Sequence, residues 1–277
     1  MLVLTLVIAL LMGFWADGLR KRRNAVRLIE AVGGTVSYDT DPGNASSFER
    51  CVISLKRVAF GQPVASVGFI KVNDVRSVLP HLRNLNNIRS LFIEDSALSD
   101  AELDDIAALK SLRKLYLYES PMTDDGLRRI QGMTNLTDLY IWKTRVTDEG
   151  LRYLERLHEL KLLVLSDCKG IDGSGLEHIA SLRNIEELDL NGTRVSNKTL
   201  RYLVSLPKLR VIALGGSLVD REGVAYLRAN LPSVEDIKSG DCRYRFSDIK
   251  NNGVWQTQEE IMGEAFTDND FIRRNGR

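Results

Sequence analysis

The chain has few of the residues that most often carry chemistry or cross-links. Its three cysteines, Cys51, Cys168 and Cys242, are scattered over 277 residues, so they make neither a disulfide framework nor a zinc-ligand spacing. Its three histidines, His81, His158 and His178, show no metal spacing and no adjacent nucleophile. No nucleophile, base and orienting group can be assembled, which argues against an enzyme, and neither a cofactor nor a metal is expected. There is no excess of either charge: 38 basic against 37 acidic residues leave a net charge of +1. Nucleic-acid binders carry a basic excess, so no nucleic-acid partner is expected. Aromatics are only 7% of the chain, which makes any clustering of them informative.

What the chain does have is aliphatic residues at fixed spacing. The segments beginning at Leu85, Leu109, Met133, Leu157, Leu182 and Leu206 all read L-x-x-L-x-x-L-x-L-x-x-(S/T/C)-x-(L/V/I/M), then a polar four, then L-x-x-L. The period is 24, lengthening to 25 after Cys168 and again before Leu231. Self-similarity of this length is the signature of a leucine-rich repeat solenoid, an α/β fold with a curved parallel sheet on the concave face and short helices on the convex face. Alternation in Leu115-Tyr-Leu117 and Leu139-Tyr-Ile141 marks strands. The spacing of Leu127 and Ile130, or Leu151 and Leu154, marks a helical turn. One such unit cannot bury enough surface to fold alone, so neighbours must stack.

Two further positions agree. Ser99, Thr123, Thr147, Asp172, Ser196 and Asp220 open the polar fours and suit helix N-caps, with Ser99 and Glu102 forming a capping box. Ser96, Ser120, Thr144, Cys168, Thr193 and Ser217 are small and weakly polar, and fit an inward ladder that bonds the turning backbone.

Residues 2–16 are apolar except for Thr5 and Gly13, and Arg20-Lys-Arg-Arg23 follows shortly after. The run is short for a spanning helix. Without a basic region before it or a small-x-small site after it, it reads as an uncleaved single-pass anchor; a cleaved signal or a buried helix are the alternatives. The positive-inside rule would leave the repeats cytoplasmic, although the side of the membrane stays open. Ala25, Leu28, Ile29 and Val32 have helical spacing that stops at Gly33-Gly34, and residues 35–38 look like a strand. One period before the regular repeats, Val67, Phe69, Leu79, Leu82 and Leu85 form a degenerate repeat. The expected divisions are an anchor and basic run over 1–23, an N-terminal cap over 24–84, repeats over 85–238 and a polar tail over 239–277. In that tail Thr257 and Glu260 could cap a short helix, and Trp255 could dock on the last repeat.

With these segments the chain resembles bacterial membrane-anchored leucine-rich repeat proteins. Their features are an apolar N-terminus, a basic juxtamembrane run, an A-V-x-x-I-x-x-x-G-G-x-V-x-Y-D segment (here residues 25–39) and T-D-x-G-L repeats (here Thr123-Asp-Asp-Gly-Leu127 and Thr147-Asp-Glu-Gly-Leu151). The match covers about residues 2–237 and departs at Ser196-Asn-Lys-Thr199, where Asp and Gly are lost. The resemblance implies a binding scaffold, with no particular partner.

The repeat frame places Phe92, Tyr116, Tyr140, Val164, Asp189 and Ala213 in one concave row and Glu94, Tyr118, Trp142, Ser166, Asn191 and Gly215 in the next. Phe92, Tyr116, Tyr118, Tyr140 and Trp142 thus fall on adjacent strands, rimmed by Glu94, Asp95, Glu119, Lys143 and Asp167. Aromatics with a charged rim are the composition of a protein-binding hot spot. Phe92, Glu94, Tyr116, Tyr118, Tyr140, Trp142 and Lys143 are therefore the expected contacts for a protein or peptide, on a contiguous exposed apolar surface. Cross-strand stacking that only stabilises the sheet is the alternative. Gly173-Ser-Gly175 superficially resembles a dinucleotide turn but lacks the third glycine. Asp124, Asp125, Asp148, Asp172 and Asp220 read as helix caps and first-turn acids rather than a calcium ladder. Arg128, Arg152 and Arg201 with Tyr153 and Tyr202 read as a solvated convex stripe.

Overall fold

The computed structural model describes residues 2–38, 64–85, 87–96, 98–239, 249–251 and 254–256. The expected helix from Thr257 lies outside these residues. A helix, α1 (Leu2–Ala31), leads into β1 (Thr35–Tyr38), then β2 (Val64–Ile70), α2 (Leu79–Leu82) and β3 (Ser90–Glu94). Next come a 3₁₀ turn (Asp100–Glu102), α3 (Leu103–Ala107), β4 (Lys114–Tyr118), α4 (Asp124–Ile130), β5 (Asp138–Trp142), a 3₁₀ turn (Asp148–Leu154) and β6 (Leu162–Val164). The chain continues through α5 (Leu176–Ile179), β7 (Glu187–Asp189), a 3₁₀ segment (Asn197–Ser205), β8 (Val211–Ala213), α6 (Arg221–Asn230) and β9 (Asp236–Lys238). A hairpin of β10 (Ile249–Asn251) and β11 (Val254–Gln256) stands apart from the sheet.

Strands β1 to β9 form one sheet in chain order. From β2 onward every pair is parallel, and Val67, Leu91, Leu115, Leu139, Leu163, Leu188, Ile212 and Ile237 face one another in register. Leu115, Leu139, Leu163 and Leu188 make one unbroken buried row, with the second strand leucines and the convex aliphatics packed against it. This is a leucine-rich repeat solenoid. The degenerate repeat belongs to it, because Val67 and Phe69 pair with Leu91 and Ile93.

The open first coil is closed by β1, which runs antiparallel to β2, and by the end of α1, whose Ala25 and Ile29 are fully buried. Helix α1 stops where Gly33 takes φ +88°, and Gly34 lies so close to the core that a Cβ there would be 2.7 Å from the Phe69 ring. Among the described residues, no helix is long and apolar enough to cross a membrane.

The inward ladder is formed. Ser96 donates to the Glu94 carbonyl, Thr193 to Leu190 and Ser217 to Leu214. Thr144 and Cys168 lie 3.3 Å apart, and the Cys168 thiol, its pKa pushed up by burial, reaches the Ile141 carbonyl. Ser120 is the exception: its buried hydroxyl has no hydrogen-bond partner among the described residues. An unmet buried hydroxyl costs about 1–3 kcal/mol, so Ser120→Ala should hold or raise stability in a denaturant titration, whereas Thr193→Ala should lower it.

The T-D-x-G four has a tertiary cause that its local reading as a cap does not contain. Asp100 accepts from the backbone N–H and hydroxyl of Thr123, one repeat on, at 2.9 and 2.6 Å. Asp124 does the same to Thr147 at 2.8 and 2.6 Å. Each carboxylate then lies against the next repeat's glycine: a Cβ on Gly126 would be 2.6 Å from Asp100 Oδ1, and one on Gly150 2.3 Å from Asp124 Oδ1. The departure at residues 196–199 follows the same rule. Gly173 stands at the Asp position, and Thr199, at the next Gly position, fills the space, with its Oγ1 2.3 Å from where a Gly173 Cβ would be.

Candidate recognition surface

Parallel strands lie about 4.8 Å apart, so side chains in one concave row are placed side by side. Phe92, Tyr116 and Tyr140 are such a row on β3, β4 and β5, and Tyr118 and Trp142 occupy the next. Tyr116 and Tyr140 stack with ring centroids 4.3 Å apart. Tyr118 lies 5.2 Å from Phe92 and 6.1 Å, edge-on, from Trp142. The structure thus brings all five aromatics together as a second apolar cluster, separate from the leucine core, with Ile70, Leu162 and Val164 packed around it.

The cluster is not the exposed patch that composition suggests. Tyr118 is 1% exposed, Tyr140 2%, Phe92 7% and Tyr116 8%. Burial pushes the Tyr116, Tyr118 and Tyr140 hydroxyls above the usual phenol range. The contiguous exposed apolar surface is therefore corrected to a concave aromatic layer in which the rings cover one another, and of the five aromatics only Trp142 faces outward in part, beside the rim. Glu94 is half-buried, and its carboxyl is raised first by burial and then by the neighbouring Glu119 and Asp95 charges, against Lys71.

The rim has a regularity that the sequence pattern did not reveal. Lys71, Asp95, Glu119, Lys143 and Asp167 all take left-handed backbone, with φ between 46° and 56°. Gly192 and Gly216, at the same place in the last two repeats, have φ 64° and 68°. The cause is the turn itself. Each of the five non-glycine residues donates its N–H to the next coil, Glu119 to the Trp142 carbonyl and Lys143 to Ser166, and the chain then bends sharply into the interior. The side chains are coupled along the edge: Lys143 pairs with Glu119 at 3.0 Å and lies 5.8 Å from the Trp142 ring centroid. The Trp142 indole N–H donates to Asp167 at 3.3 Å, and Lys169 pairs with Asp167 at 2.8 Å.

Beyond the aromatics the concave face turns polar. Asp189, 7% exposed, accepts from the Asn191 N–H at 2.8 Å, and the Asn191 side-chain oxygen accepts from Gly215 N–H at 2.6 Å. Burial pushes the Asp189 carboxyl up to about 6, against the Asn191 N–H, the Ser166 hydroxyl, the Asn191 side chain and the Lys238 charge. Asp189, Asn191 and Ser166 were absent from the expected contacts. The available signal was an acid in a concave row between Val164 and Ala213.

Other sequence candidates find structural uses. The Gly173 and Gly175 N–H groups, which a phosphate would need, already donate to Asp148 at 3.1 and 2.7 Å. Arg128 and Arg152 pair with acids of their own turns, Arg201 lies 5.0 Å from the Tyr202 ring centroid, and His178 contacts Glu155. Among the described residues, no group of three or more His, Cys, Asp or Glu could hold a metal ion.

No protein-family model matches the chain, and no curated protein matches it. Among solved structures it is similar to an internalin C2 from Listeria monocytogenes, with 21% identity and a TM-score of 0.48 over 64% of this chain and 80% of that one. A leucine-rich repeat protein of Leptospira interrogans gives 19% identity and a TM-score of 0.45, covering 56% of this chain and 38% of that one. The plant peptide hormone receptor RGFR1 in complex with RGF2 gives 20% identity and a TM-score of 0.41, covering 58% and 26%. The fold assignment rests on the chain's own in-register repeats.

Proposed function

We propose that this chain is a non-catalytic leucine-rich repeat module that binds a protein or peptide on the concave face of its N-terminal repeats and is tethered to a membrane by its N-terminal segment. The observation that supports recognition is the strained rim. A non-glycine residue in left-handed backbone costs on the order of 1–2 kcal/mol, and Gly192 and Gly216 show that the same bend accommodates glycine. Charged side chains are nevertheless held there in succession, beside the repeats that carry the aromatics. Such strain marks surfaces where the side chain itself is used. The partner is then gripped at the rim by Glu94, Lys143 and their neighbours, with Trp142 as the accessible edge of the aromatic layer.

The tether is supported by the apolar residues 2–16, which continue as one helix into the cap. Fifteen residues rise about 22 Å against a hydrocarbon core of about 30 Å, a mismatch that is accommodated by local thinning of the bilayer or by snorkelling of the flanking basic residues. A second reading, a structural scaffold without a concave ligand, is favoured by the burial of Tyr116, Tyr118 and Tyr140.

Truncating Tyr118 does not separate the two readings, because removing a buried aromatic costs about 3–5 kcal/mol by itself. Glycine on the rim does. In Glu119→Gly/Lys143→Gly, relief of strain offsets glycine's greater unfolded-state entropy, about 0.5–1 kcal/mol each, and the melting temperature should stay within a few degrees of wild type. Recognition predicts that proteins captured by wild type from detergent extract are lost from this variant. An unchanged set of captured proteins would favour the scaffold.

A further inference from the structure

Helix α1 has two unlike faces where it leaves the apolar run. At about 100° per residue, Arg20, Arg23 and Arg27 fall within about 60° of one another, while Ala25 and Ile29 lie on the opposite side. The opposite side is docked, since Ala25 and Ile29 are fully buried in the leucine core. The arginine side is open: Arg20, Arg23 and Arg27 are all exposed, and with Asp17, Lys21 and Asn24 they line one surface hollow. Asp17 pairs with Arg20 at 2.5 Å and Lys21 at 2.7 Å, so it offsets part of the charge and leaves the stripe cationic. Arg22 differs: it is half-buried, and burial lowers its pKa below the usual guanidinium value.

The second fact is distance. The helix is continuous from Leu2 to Ala31, with no linker between the apolar run and the cap. The stripe begins about 6 Å past Ala16 and ends about 16 Å past it at 1.5 Å per residue, so its start lies in the headgroup layer, about 5–7 Å deep on each side of the hydrocarbon core, and the rest lies within about a Debye length of that layer. Ala25, already locked into the solenoid, is about 14 Å past Ala16 on the same scale. A cationic stripe at that depth meets phosphate and carboxylate groups, and the rigid helix passes its orientation directly to the first repeat.

We propose that Arg20, Arg23 and Arg27 form a docking stripe for anionic phospholipid headgroups, which holds the first repeats at a fixed distance and tilt from the membrane surface. This rests on the tether reading and adds a lipid class and an orientation to it. Attraction of a basic residue to an anionic leaflet corresponds to about fivefold in partitioning at the surface and falls off within a Debye length, so three arginines give at most about 100-fold, screened by salt.

The test is flotation of the full chain with vesicles of phosphatidylcholine alone and of phosphatidylcholine containing phosphatidylserine, in low and high salt. Wild type and Arg20→Gln/Arg23→Gln/Arg27→Gln are compared, and circular dichroism checks that both remain folded. The expected result is that wild type binds both vesicles and prefers the anionic ones at low salt. The variant should bind the neutral vesicles equally but lose the preference. Equal wild-type binding to both vesicles, or an anionic preference that survives in the variant, would overturn the stripe and leave the tether standing. If wild type floats with neither, the tether itself fails and the stripe with it. A triple-arginine dependence seen with DNA or acidic protein but not with vesicles would also overturn the lipid assignment.

Discussion

Gly150→Thr should cost the solenoid about 3 kcal/mol, and combining it with Asp124→Gly, itself destabilising, should cost less than the sum of the two single losses. A Cβ at Gly150 would be 2.3 Å from Asp124 Oδ1 and 2.9 Å from its Cγ, closer than any real contact, and the carboxylate cannot retreat without breaking its bonds to Thr147. Overpacking of this kind typically costs about 1–3 kcal/mol. Asp124→Gly removes two hydrogen bonds from the start of the next turn, worth about 1.5–3 kcal/mol each when a charged group accepts them. The double variant reproduces the Gly173/Thr199 arrangement already present two coils away. The cycle should therefore show a favourable coupling of about 1–3 kcal/mol. Urea unfolding of the four proteins measures it. Additive losses would mean that the glycine is required by the backbone of its own turn, and that the Asp-to-Gly contact between repeats is incidental.

Asp189→Asn should stabilise the protein at neutral pH and remove a pH dependence. The folded-state pKa is raised to about 6 from 3.8, so the native state holds this proton more tightly than the unfolded chain does. The penalty for ionising it is absent below about pH 4, grows as pH rises through the folded pKa, and is complete above about pH 7. Two units correspond to about 2–3 kcal/mol. The Asn191 N–H keeps an acceptor in the amide. Stability of wild type and variant, compared from pH 4 to 8, should diverge by this amount in favour of the variant as pH rises. If the two curves stay parallel, or the variant is weaker at pH 7.5, the Asp189 carboxylate is held in place by Lys238 or another donor strongly enough to outweigh its burial.

The sequence made different parts of the site legible to different degrees. The concave rows were readable because strand alternation is a local rule: once Leu115 and Leu117 face the core, Tyr116 and Tyr118 must face the other way. That these tyrosines are almost wholly buried was not readable, since it depends on how closely rows from separate coils approach each other. The rim residues were visible as charges, but nothing in Glu119 or Lys143 signals a left-handed backbone, which glycine would have announced. The aspartates of the polar fours were read as caps. Asp172 and Asp220 do cap their own turns, whereas Asp124 and Asp148 cap the turn of the next repeat, through contacts about 24 residues distant in sequence.

Leucine spacing by itself determined the solenoid: a period of 24 leaves no other way to bury that many aliphatic side chains, because each coil must borrow its neighbour's surface. It also determined where the helical turns fall and which face of each strand is concave. Only the tertiary structure decided the rest. It made β1 antiparallel, docked α1 on the first coil, set Asp100 and Asp124 against the glycines of the next repeats, and closed the aromatics over one another. Each of these is a contact between residues of different coils or of the cap, and the distance between coils is set by stacking, on which periodicity within one coil is silent.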